Sequence, residues 1–372
     1  MVSETISKSL IQFLVEPKYW VFLILTTLPF SALADEQLTV VSWGGSYAKA
    51  CKDGYIDPFA TESGVKVYLA DYNGGLAQVR AQVETGNVHW DVIDVETQDL
   101  IIGCDEGLFE PLTDLDLPQG VDGSDPNTDF LPDALTECGV ATLVGAGVIA
   151  YNTDSFESNP PSTIDDFFDL EKYPGKRGLR RTPLVNLEWA LIATGVEVED
   201  VYDKLSTEEG LKAAFDKLDT IKDSIVFWEA GAQPPQLLAD QEVVMTSAYN
   251  GRIFNAQVVE DQPFVIIWDG HARDYGHWAI LSGSSNISVA KKFIQYSVKS
   301  ESLAAVANRI SYAPSRQSSW ELVGKHVDMD VGMQEHMPTH PKNSKRYFKI
   351  DSEWWAERKD DLTERFSVWV SR

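Results

Sequence analysis

The sequence is short of basic residues. Its 372 residues include 31 lysines and arginines against 57 aspartates and glutamates, so the formal net charge at pH 7 is −26. A protein that binds nucleic acid presents a basic face to the phosphate backbone, so this composition argues against nucleic acid as a partner. The acidic surplus does not by itself predict a cationic ligand, because solubility or a salty environment favours the same composition.

Cysteine is also scarce, with only Cys51, Cys104 and Cys138. The absence of a C-x-x-C motif excludes a zinc ribbon and a thioredoxin-like redox site. In an oxidising compartment, three cysteines allow one disulfide and leave one thiol. Cys104 and Cys138 lie in turn-rich stretches of one predicted lobe, so we predict a bridge between them. Cys51 lies in a helix-like segment, and we expect it to be a small buried residue.

The common catalytic and metal-binding motifs are missing. There is no G-x-S-x-G, and Ser46 has no histidine placed to activate it. His336 and His340 are separated by Pro338, which argues against a helical metal-binding pair. His271 and His277 flank Asp274, which leaves a metal site there as an open alternative. The glycine pair at 44–45 follows a predicted strand but lacks the rest of a phosphate-binding loop, so we expect the backbone to approach some other ligand there.

The N-terminus carries an apolar run with basic residues before it, and no apolar run after it is long enough to span a membrane. Lys8 and Lys18 precede an apolar run at 19–30, and the small-x-small sequence Ser-Ala-Leu-Ala follows at 31–34. This order predicts a secretory signal peptide over 1–34 and a mature protein outside the cytoplasm. The run is shorter than the roughly 20 residues of a membrane-spanning helix. An uncleaved anchor remains the alternative, because the segment before the run is unusually long.

Beyond the leader, β-like runs alternate with helix-like segments, which is typical of an α/β fold. In the first half we predict strands at 38–43, 65–69 and 91–95, helices at 47–60, 75–84 and 98–107, and a strand pair at 140–151. A second series has strands at 178–181, 224–228, 243–247, 264–268 and 277–281, and an amphipathic helix at 351–370. The length suggests two domains. In parallel sheets of this kind, ligands bind beyond the carboxyl ends of the strands.

Aromatic residues are abundant, with 11 Trp, 13 Tyr and 16 Phe. Eight of them stand at predicted strand ends or in loops: Trp43, Tyr47, Trp228, Tyr249, Trp268, Tyr275, Trp278 and Tyr312. Aromatic rings around an ammonium group contribute about 0.5–2 kcal/mol per contact. Core packing accounts for any single ring, but the cluster favours an aromatic box for a nitrogenous ligand.

Arginines also fall at predicted strand ends. Arg180 and Arg181 close one strand-like run, and Arg252 follows another. An arginine in a cleft can grip a carboxylate with two hydrogen bonds. A structural ion pair with one of the many acids is the equal alternative.

Eight segments together resemble the periplasmic solute-binding proteins of bacterial ABC importers, specifically the spermidine/putrescine-binding type. They lie at 38–47, 90–95, 147–152, 173–177, 187–191, 243–252, 286–297 and 310–314. The resemblance implies two α/β lobes joined by a hinge of crossing strands, with the solute in the cleft. The first lobe would comprise 35–149 and 278–315, and the second 150–277 and 316–372. It also implies a monomeric, periplasmic binder that delivers its solute to a membrane permease, without a cofactor and without catalysis.

The resemblance also implies a set of site residues. Trp43 and Tyr47 match positions that line the first-lobe side of the cleft, and Glu96 and Gln98 match positions of polar contacts. Further aromatic walls of the cleft match Tyr249, Tyr275 and Tyr312. Together with the strand-end residues above, the predicted ligand-binding set is Trp43, Ser46, Tyr47, Glu96, Gln98, Arg181, Trp228, Tyr249, Arg252, Asp274, Tyr275 and Tyr312.

One segment departs from the polyamine-binding pattern. Polyamine binders place acids where this chain reads Leu-Arg-Arg-Thr-Pro at 179–183. A cation repels an ammonium group, so we predict a ligand with one amine and one carboxylate, such as an omega-amino acid. Arg181 or Arg252 would hold the carboxylate, and Asp274 or Glu229 would join the aromatic rings at the amine. A polyamine-like ligand, a secreted enzyme acting on a small amine, and a metal carrier remain the alternatives.

Overall fold

A ten-stranded mixed sheet runs through the protein. The computed structural model describes residues 36–156 and 158–372, so the predicted signal peptide lies outside the described residues. The strands are β1 (Gln37–Ser42), β2 (Lys66–Asp71), β3 (Val92–Glu96), β4 (Val140–Asn152), β5 (Arg177–Arg180), β6 (Ile225–Trp228), β7 (Met245–Tyr249), β8 (Phe264–Ile280), β9 (Ala313–Pro314) and β10 (Tyr347–Lys349).

Two parallel groups of strands flank two long crossing strands. The order is β2-β1-β3-β8-β4-β7-β5-β6, with β10 beside β8 and β9 beside β4. Strands β1, β2 and β3 are parallel to one another, as are β5, β6 and β7. Strands β4 and β8 are antiparallel to each other and to their outer neighbours. The crossing pair therefore connects two separate α/β units.

Helices connect the strands. They are α1 (Gly45–Cys51), α2 (Asp57–Ser63), α3 (Ala77–Thr85), α4 (Thr97–Asp105), α5 (Pro126–Asp129), α6 (Ile164–Phe168), α7 (Asn186–Ile192), α8 (Val201–Leu205), α9 (Glu208–Asp219), α10 (Gln233–Ala239), α11 (Asn250–Phe254), α12 (Ile287–Ser297), α13 (Ser300–Ala307), α14 (Gln317–Trp320) and α15 (Ser352–Ser371). A π-helical turn at Lys52–Ile56 joins α1 to α2, and another at Asn255–Val259 extends α11. Within the described ranges, no helix is both long and apolar enough to cross a membrane.

The two crossing strands are longer than the sequence predicts. Residues 140–151, predicted as a strand pair, form the single strand β4, and the two strands predicted at 264–268 and 277–281 are the two ends of β8. The middle of β8 is polar, and a polar stretch between two apolar runs is the pattern that predicts a loop. Its polar side chains have partners: Arg273, for example, donates to Ser344 Oγ at 2.5 Å. Gly270, with φ at +61°, lies in the segment of β8 where its pairing with β4 shifts register.

Each flanking unit has its own hydrophobic core. One core surrounds Trp278 and Phe293 between the β1–β3 group and its helices. The other surrounds Trp189 and Trp355. The predicted amphipathic helix is confirmed as α15, and its Trp354, Trp355, Leu362, Phe366 and Trp369 are buried in the second core. Full burial of one large apolar side chain contributes about 1.5–3 kcal/mol, so α15 is firmly attached to the second unit. The exact lobe boundaries stay a prediction.

The predicted disulfide is confirmed. Cys104 at the end of α4 is bonded to Cys138, just before β4, with a Cα–Cα distance of 5.8 Å. The bridge lies in a separate apolar cluster of the first unit, beside Leu100 and Phe109. Cys51 is a buried free thiol, as expected.

Candidate functional site

A cavity of about 120 Å³ lies where the ends of the strands from both units meet. Trp43 follows β1, and β3, β5, β6 and β7 end at Glu96, Arg180, Trp228 and Tyr249. These are the carboxyl ends of the parallel strands, where ligands are expected in this kind of sheet. Nine residues of the predicted ligand-binding set line the cavity: Trp43, Tyr47, Glu96, Trp228, Tyr249, Arg252, Asp274, Tyr275 and Tyr312.

The floor of the cavity is made of small residues on the crossing strands. Gly145 and Gly147 of β4 and Ala272 and Gly276 of β8 line it. A methyl group on Gly147 would meet Val185 and Ala272 at 3.7 Å, which is ordinary van der Waals contact. These positions therefore provide volume for a solute without requiring strained backbone.

Aromatic rings form the walls. Tyr47 and Tyr312 contact each other edge to face with ring centroids 5.4 Å apart, and Trp228 and Tyr249 do so at 6.2 Å. The Tyr275 hydroxyl donates to Pro132 O at 2.7 Å and is therefore already used. What Tyr275 offers to the cavity is its aromatic ring. The other two aromatic candidates do not line the cavity: Trp278 is fully buried in the first core, and Trp268 packs against His271.

A three-membered polar cluster joins the two sides of the cavity. Arg180 Nη1 donates to Glu96 Oε1 at 3.0 Å and to Tyr249 Oη at 2.6 Å, while Tyr249 Oη donates to Glu96 Oε1 at 2.7 Å. Burial opposes ionisation of Glu96, but Arg180 and Tyr249 outweigh it and hold the pKa of Glu96 below its ordinary value. Nε and Nη2 of Arg180 have no hydrogen-bond partner within 36–156 and 158–372, so they remain available to a solute.

Arg252 ties α11 to the loop after β1. Its two terminal nitrogens donate to the carbonyl oxygens of Trp43 and Gly44, both at 2.8 Å. Gly45 permits this approach, because a Cβ there would lie only 2.6 Å from Arg252 Nη1. The backbone approach expected at 44–45 is therefore used by an arginine of the chain itself. Arg252 lines the cavity, and its hydrogen bonds are made to the loop after β1.

Asp94 is a site residue that the prediction missed. Tyr47 Oη donates to its Oδ2 at 2.5 Å, and among the described residues Oδ1 has no partner. Burial raises the pKa of Asp94 to about 7. A signal was available, because an acid two residues before Glu96 lies on the same face of the strand.

Asp274 presents a second carboxyl group to the cavity. Its Oδ1 accepts hydrogen bonds from Thr97 Oγ1 at 2.6 Å and from the main-chain nitrogen of Tyr275 at 2.8 Å. Burial raises the pKa of Asp274 to about 7. The metal alternative at Asp274 has no support from its histidine neighbour His271, because Nδ1 of that ring faces Trp268 O at 2.8 Å and Nε2 accepts from Arg273 at 3.0 Å.

Three members of the predicted set lie elsewhere. Gln98 and Arg181 line an adjoining second cavity, and Ser46 lines neither cavity. Glu229, considered for the amine, is exposed at the second cavity. Of the two adjacent arginines, Arg180 lines the first cavity, because β5 ends there and Arg181 lies beyond the strand.

Comparison with known proteins identifies the family. Residues 54–335 match the family model described as bacterial extracellular solute-binding protein. The chain is a bacterial extracellular solute-binding protein. This solute-binding protein is 41% identical over 348 residues to the gamma-aminobutyric acid-binding protein of Pseudomonas aeruginosa, and the match covers 93% of this chain and 95% of that protein.

Solved structures share its fold. A GABA receptor is 30% identical with a TM-score of 0.75, covering 90% of the solute-binding protein and 98% of that chain. MotA of A. tumefaciens B6, in complex with glucopine, is 28% identical with a TM-score of 0.80, and the match covers 90% of the solute-binding protein and 99% of MotA. These relatives confirm the α/β periplasmic-binding-protein fold and the predicted membership among ABC-importer receptors. Membership implies a small-molecule solute, an ABC permease as partner and a location outside the cytoplasm.

Proposed function

We propose that this receptor binds an omega-amino acid of the size of 4-aminobutyrate (GABA) in the periplasm and delivers it to its permease without altering it. The observation that carries the proposal is that one cavity, walled by aromatic rings, presents the Arg180 guanidinium and the carboxyl groups of Asp94 and Asp274. A zwitterion with separated charges matches that arrangement. The 41% identity to a GABA-binding protein supports the same solute class.

The carboxylate of the solute would bind at Arg180. Its guanidinium keeps Nε and Nη2 free while Nη1 bonds to Glu96 and Tyr249. The guanidinium carbon lies 5.9 Å from the Trp43 ring centre and 5.7 Å from that of Tyr249, so the group is held between two rings. A held arginine loses little conformational entropy on binding a carboxylate. This assignment replaces Arg181 with its neighbour in the chain.

The ammonium group would bind at the end that Asp274 faces. Oδ1 of this carboxyl bonds to Thr97 and to the Tyr275 amide, and Oδ2 has no hydrogen-bond partner among the described residues, so Oδ2 is left for the solute. Tyr275 and Tyr312 supply ring faces that attract a cation. The volume suits a short solute, since 120 Å³ is the volume of about four water molecules in the liquid, at about 30 Å³ each.

A diamine is the competing solute class. Putrescine or spermidine would place an ammonium group against Arg180, and the repulsion would have to be overcome inside a cavity of low dielectric constant.

The proposal also includes cleavage of the signal peptide after residue 34 and a monomeric receptor.

A thermal-shift panel tests the proposal. The purified receptor would be heated with 4-aminobutyrate, 5-aminovalerate, putrescine, spermidine and succinate. A solute at 100 times its Kd stabilises the folded state by about 2.7 kcal/mol. We expect the omega-amino acids alone to raise Tm, without being consumed. A shift with the diamines alone, or turnover of a bound amine, would contradict the proposal.

A further inference from the structure

A second cavity of about 370 Å³ adjoins the first. The two share Glu96, Arg180 and Leu184 in their linings, so Arg180 stands between them. Arg180 Nη2 is directed toward Gly74, which lines only the second cavity; a Cβ on that glycine would lie 3.2 Å from the nitrogen. A solute whose carboxyl carbon lies at Arg180 therefore has space beyond it.

Gln98 is a buried lining residue of the second cavity. The residue is 1% exposed, its Nε2 donates to Glu96 Oε2 at 3.0 Å, and its buried Oε1 has no partner among the described residues. The Glu96 carboxylate fixes the orientation of the amide, because the reverse orientation would bring two oxygens together. A buried acceptor without a donor costs free energy, and a solute N–H group would remove that cost.

Arg181 brings a cation without a partner. Its main-chain nitrogen donates to Trp228 O at 2.9 Å, which fixes the backbone at the cavity wall. Its guanidinium forms no hydrogen bond or ion pair within 36–156 and 158–372. The neighbouring cation Lys359 is already paired with Asp99. Glu229, the one acid of the lining without an ion pair in the part of the chain that the structure describes, is exposed.

We propose that the second cavity is a subsite for an amide-linked extension of the solute, so that the receptor also accepts omega-aminoacyl amino acids such as 4-aminobutyryl-glycine. The amide N–H of the extension donates to Gln98 Oε1, and its terminal carboxylate pairs with Arg181. The omega-amino part stays in the first cavity, so this assignment rests on the proposed function. It separates Arg180, which contacts every solute, from Arg181, which contacts only the extended ones.

Calorimetric titrations with three solutes test the subsite: 4-aminobutyrate, 4-aminobutyryl-glycine and its uncharged glycinamide analogue. The receptor is used unchanged, as Arg181→Ala, and as Lys342→Ala, which removes one exposed positive charge outside both cavities. We expect Arg181→Ala to weaken 4-aminobutyryl-glycine by about fivefold and to leave the other two solutes unchanged. Lys342→Ala should change none of them.

The other outcomes of these titrations distinguish failure of the subsite from failure of the proposed function. If 4-aminobutyrate binds and 4-aminobutyryl-glycine does not, the subsite is overturned and the proposed function stands. If Arg181→Ala weakens 4-aminobutyrate and 4-aminobutyryl-glycine equally, Arg181 holds the carboxylate of the short solute and the subsite is again overturned. If only diamines bind, the proposed function itself fails. Arg181 is exposed, so we expect its replacement to leave the fold intact.

Discussion

Arg180 Nη1 and Glu96 Oε1 lie 3.0 Å apart, although β5 and β3 belong to opposite sides of the ten-stranded sheet. Their side chains are 18% and 17% exposed. Tyr249 bonds to both partners and closes a small network. The pair therefore joins the two units at the first cavity and holds the arginine that we propose as the partner of the solute's carboxylate.

Replacement of Arg180 by alanine should damage both stability and binding. Glu96 would be left mostly buried without its cation, which should lower the free energy of unfolding by about 3 kcal/mol. The affinity for 4-aminobutyrate should fall by about tenfold or more, because a hydrogen bond to a charged group is lost. Urea unfolding and calorimetry measure the two effects.

Arg181→Ala is the matched control for Arg180→Ala. Its side chain is exposed and lies outside the first cavity, so unfolding should change by less than about 0.5 kcal/mol. Adding Glu96→Gln to Arg180→Ala should recover part of the stability but not the binding. Unchanged binding in Arg180→Ala would remove this residue from the site.

The affinity for 4-aminobutyrate should rise with pH. Burial raises the pKa of Asp274 to about 7, so below that pH the carboxyl is neutral, whereas an ammonium group binds the carboxylate. Neither charge of the solute changes between pH 6 and 8, and one coupled proton predicts about tenfold tighter binding at pH 8 than at pH 6. Calorimetry at both pH values measures the slope.

Asp274→Asn should bind weakly at both pH values. If the pH dependence survives in this variant, the ammonium group is recognised by Asp94, whose pKa burial also raises to about 7.

The stability of the protein without solute should change with pH in the opposite direction to the affinity. A carboxyl group whose pKa is raised in the folded state stabilises the fold below its unfolded pKa of about 4, and this contribution is lost as the pH rises through about 7.

Filling the cavity floor should block the solute without harming the fold. In Gly147→Ala the new methyl group meets its neighbours at 3.7 Å, so unfolding should be unchanged or improved by up to about 1 kcal/mol. The methyl group occupies solute volume, and we expect binding to weaken by about tenfold or more. Gly324→Ala, at an open position with nothing within 4 Å of the new Cβ, is the control. Equal affinity in both variants would place the solute away from this floor.

The disulfide should contribute to stability rather than to binding. It links residues 34 positions apart in the chain, and loss of such a bridge costs about 2–4 kcal/mol. Replacing both Cys104 and Cys138 by serine should lower the free energy of unfolding by that amount while 4-aminobutyrate still binds. Urea unfolding of the variant, and of the unchanged protein with and without reductant, checks this. A reductant effect in the variant would point to a different origin.

Much of the fold could be predicted from local patterns. Apolar runs ending in Gly44-Gly45 and in Glu96 locate β1 and β3 to within about one residue. The middle of β8 could not be found this way, because its polar residues are satisfied by partners far along the chain, such as Ser344 for Arg273. Local patterns carry no information on such distant partners.

The site was predictable in type and less so in detail. Strand-end aromatics identified the walls of the cavity, because strand ends converge in this fold. Arg181 was predicted for the solute's carboxylate, whereas its neighbour Arg180 lines the first cavity, because successive residues at a strand end face different surfaces. Asp94 was hidden inside an otherwise apolar strand, and its role became visible only with Tyr47 beside it.

The most direct test of the account is a calorimetric titration of the mature receptor at pH 8 with 4-aminobutyrate and, separately, with spermidine. We expect one molecule of 4-aminobutyrate bound per chain, with affinity about tenfold or more weaker in Arg180→Ala and unchanged in Arg181→Ala, and no heat of binding from spermidine. One spermidine bound per chain with no response to 4-aminobutyrate would contradict it.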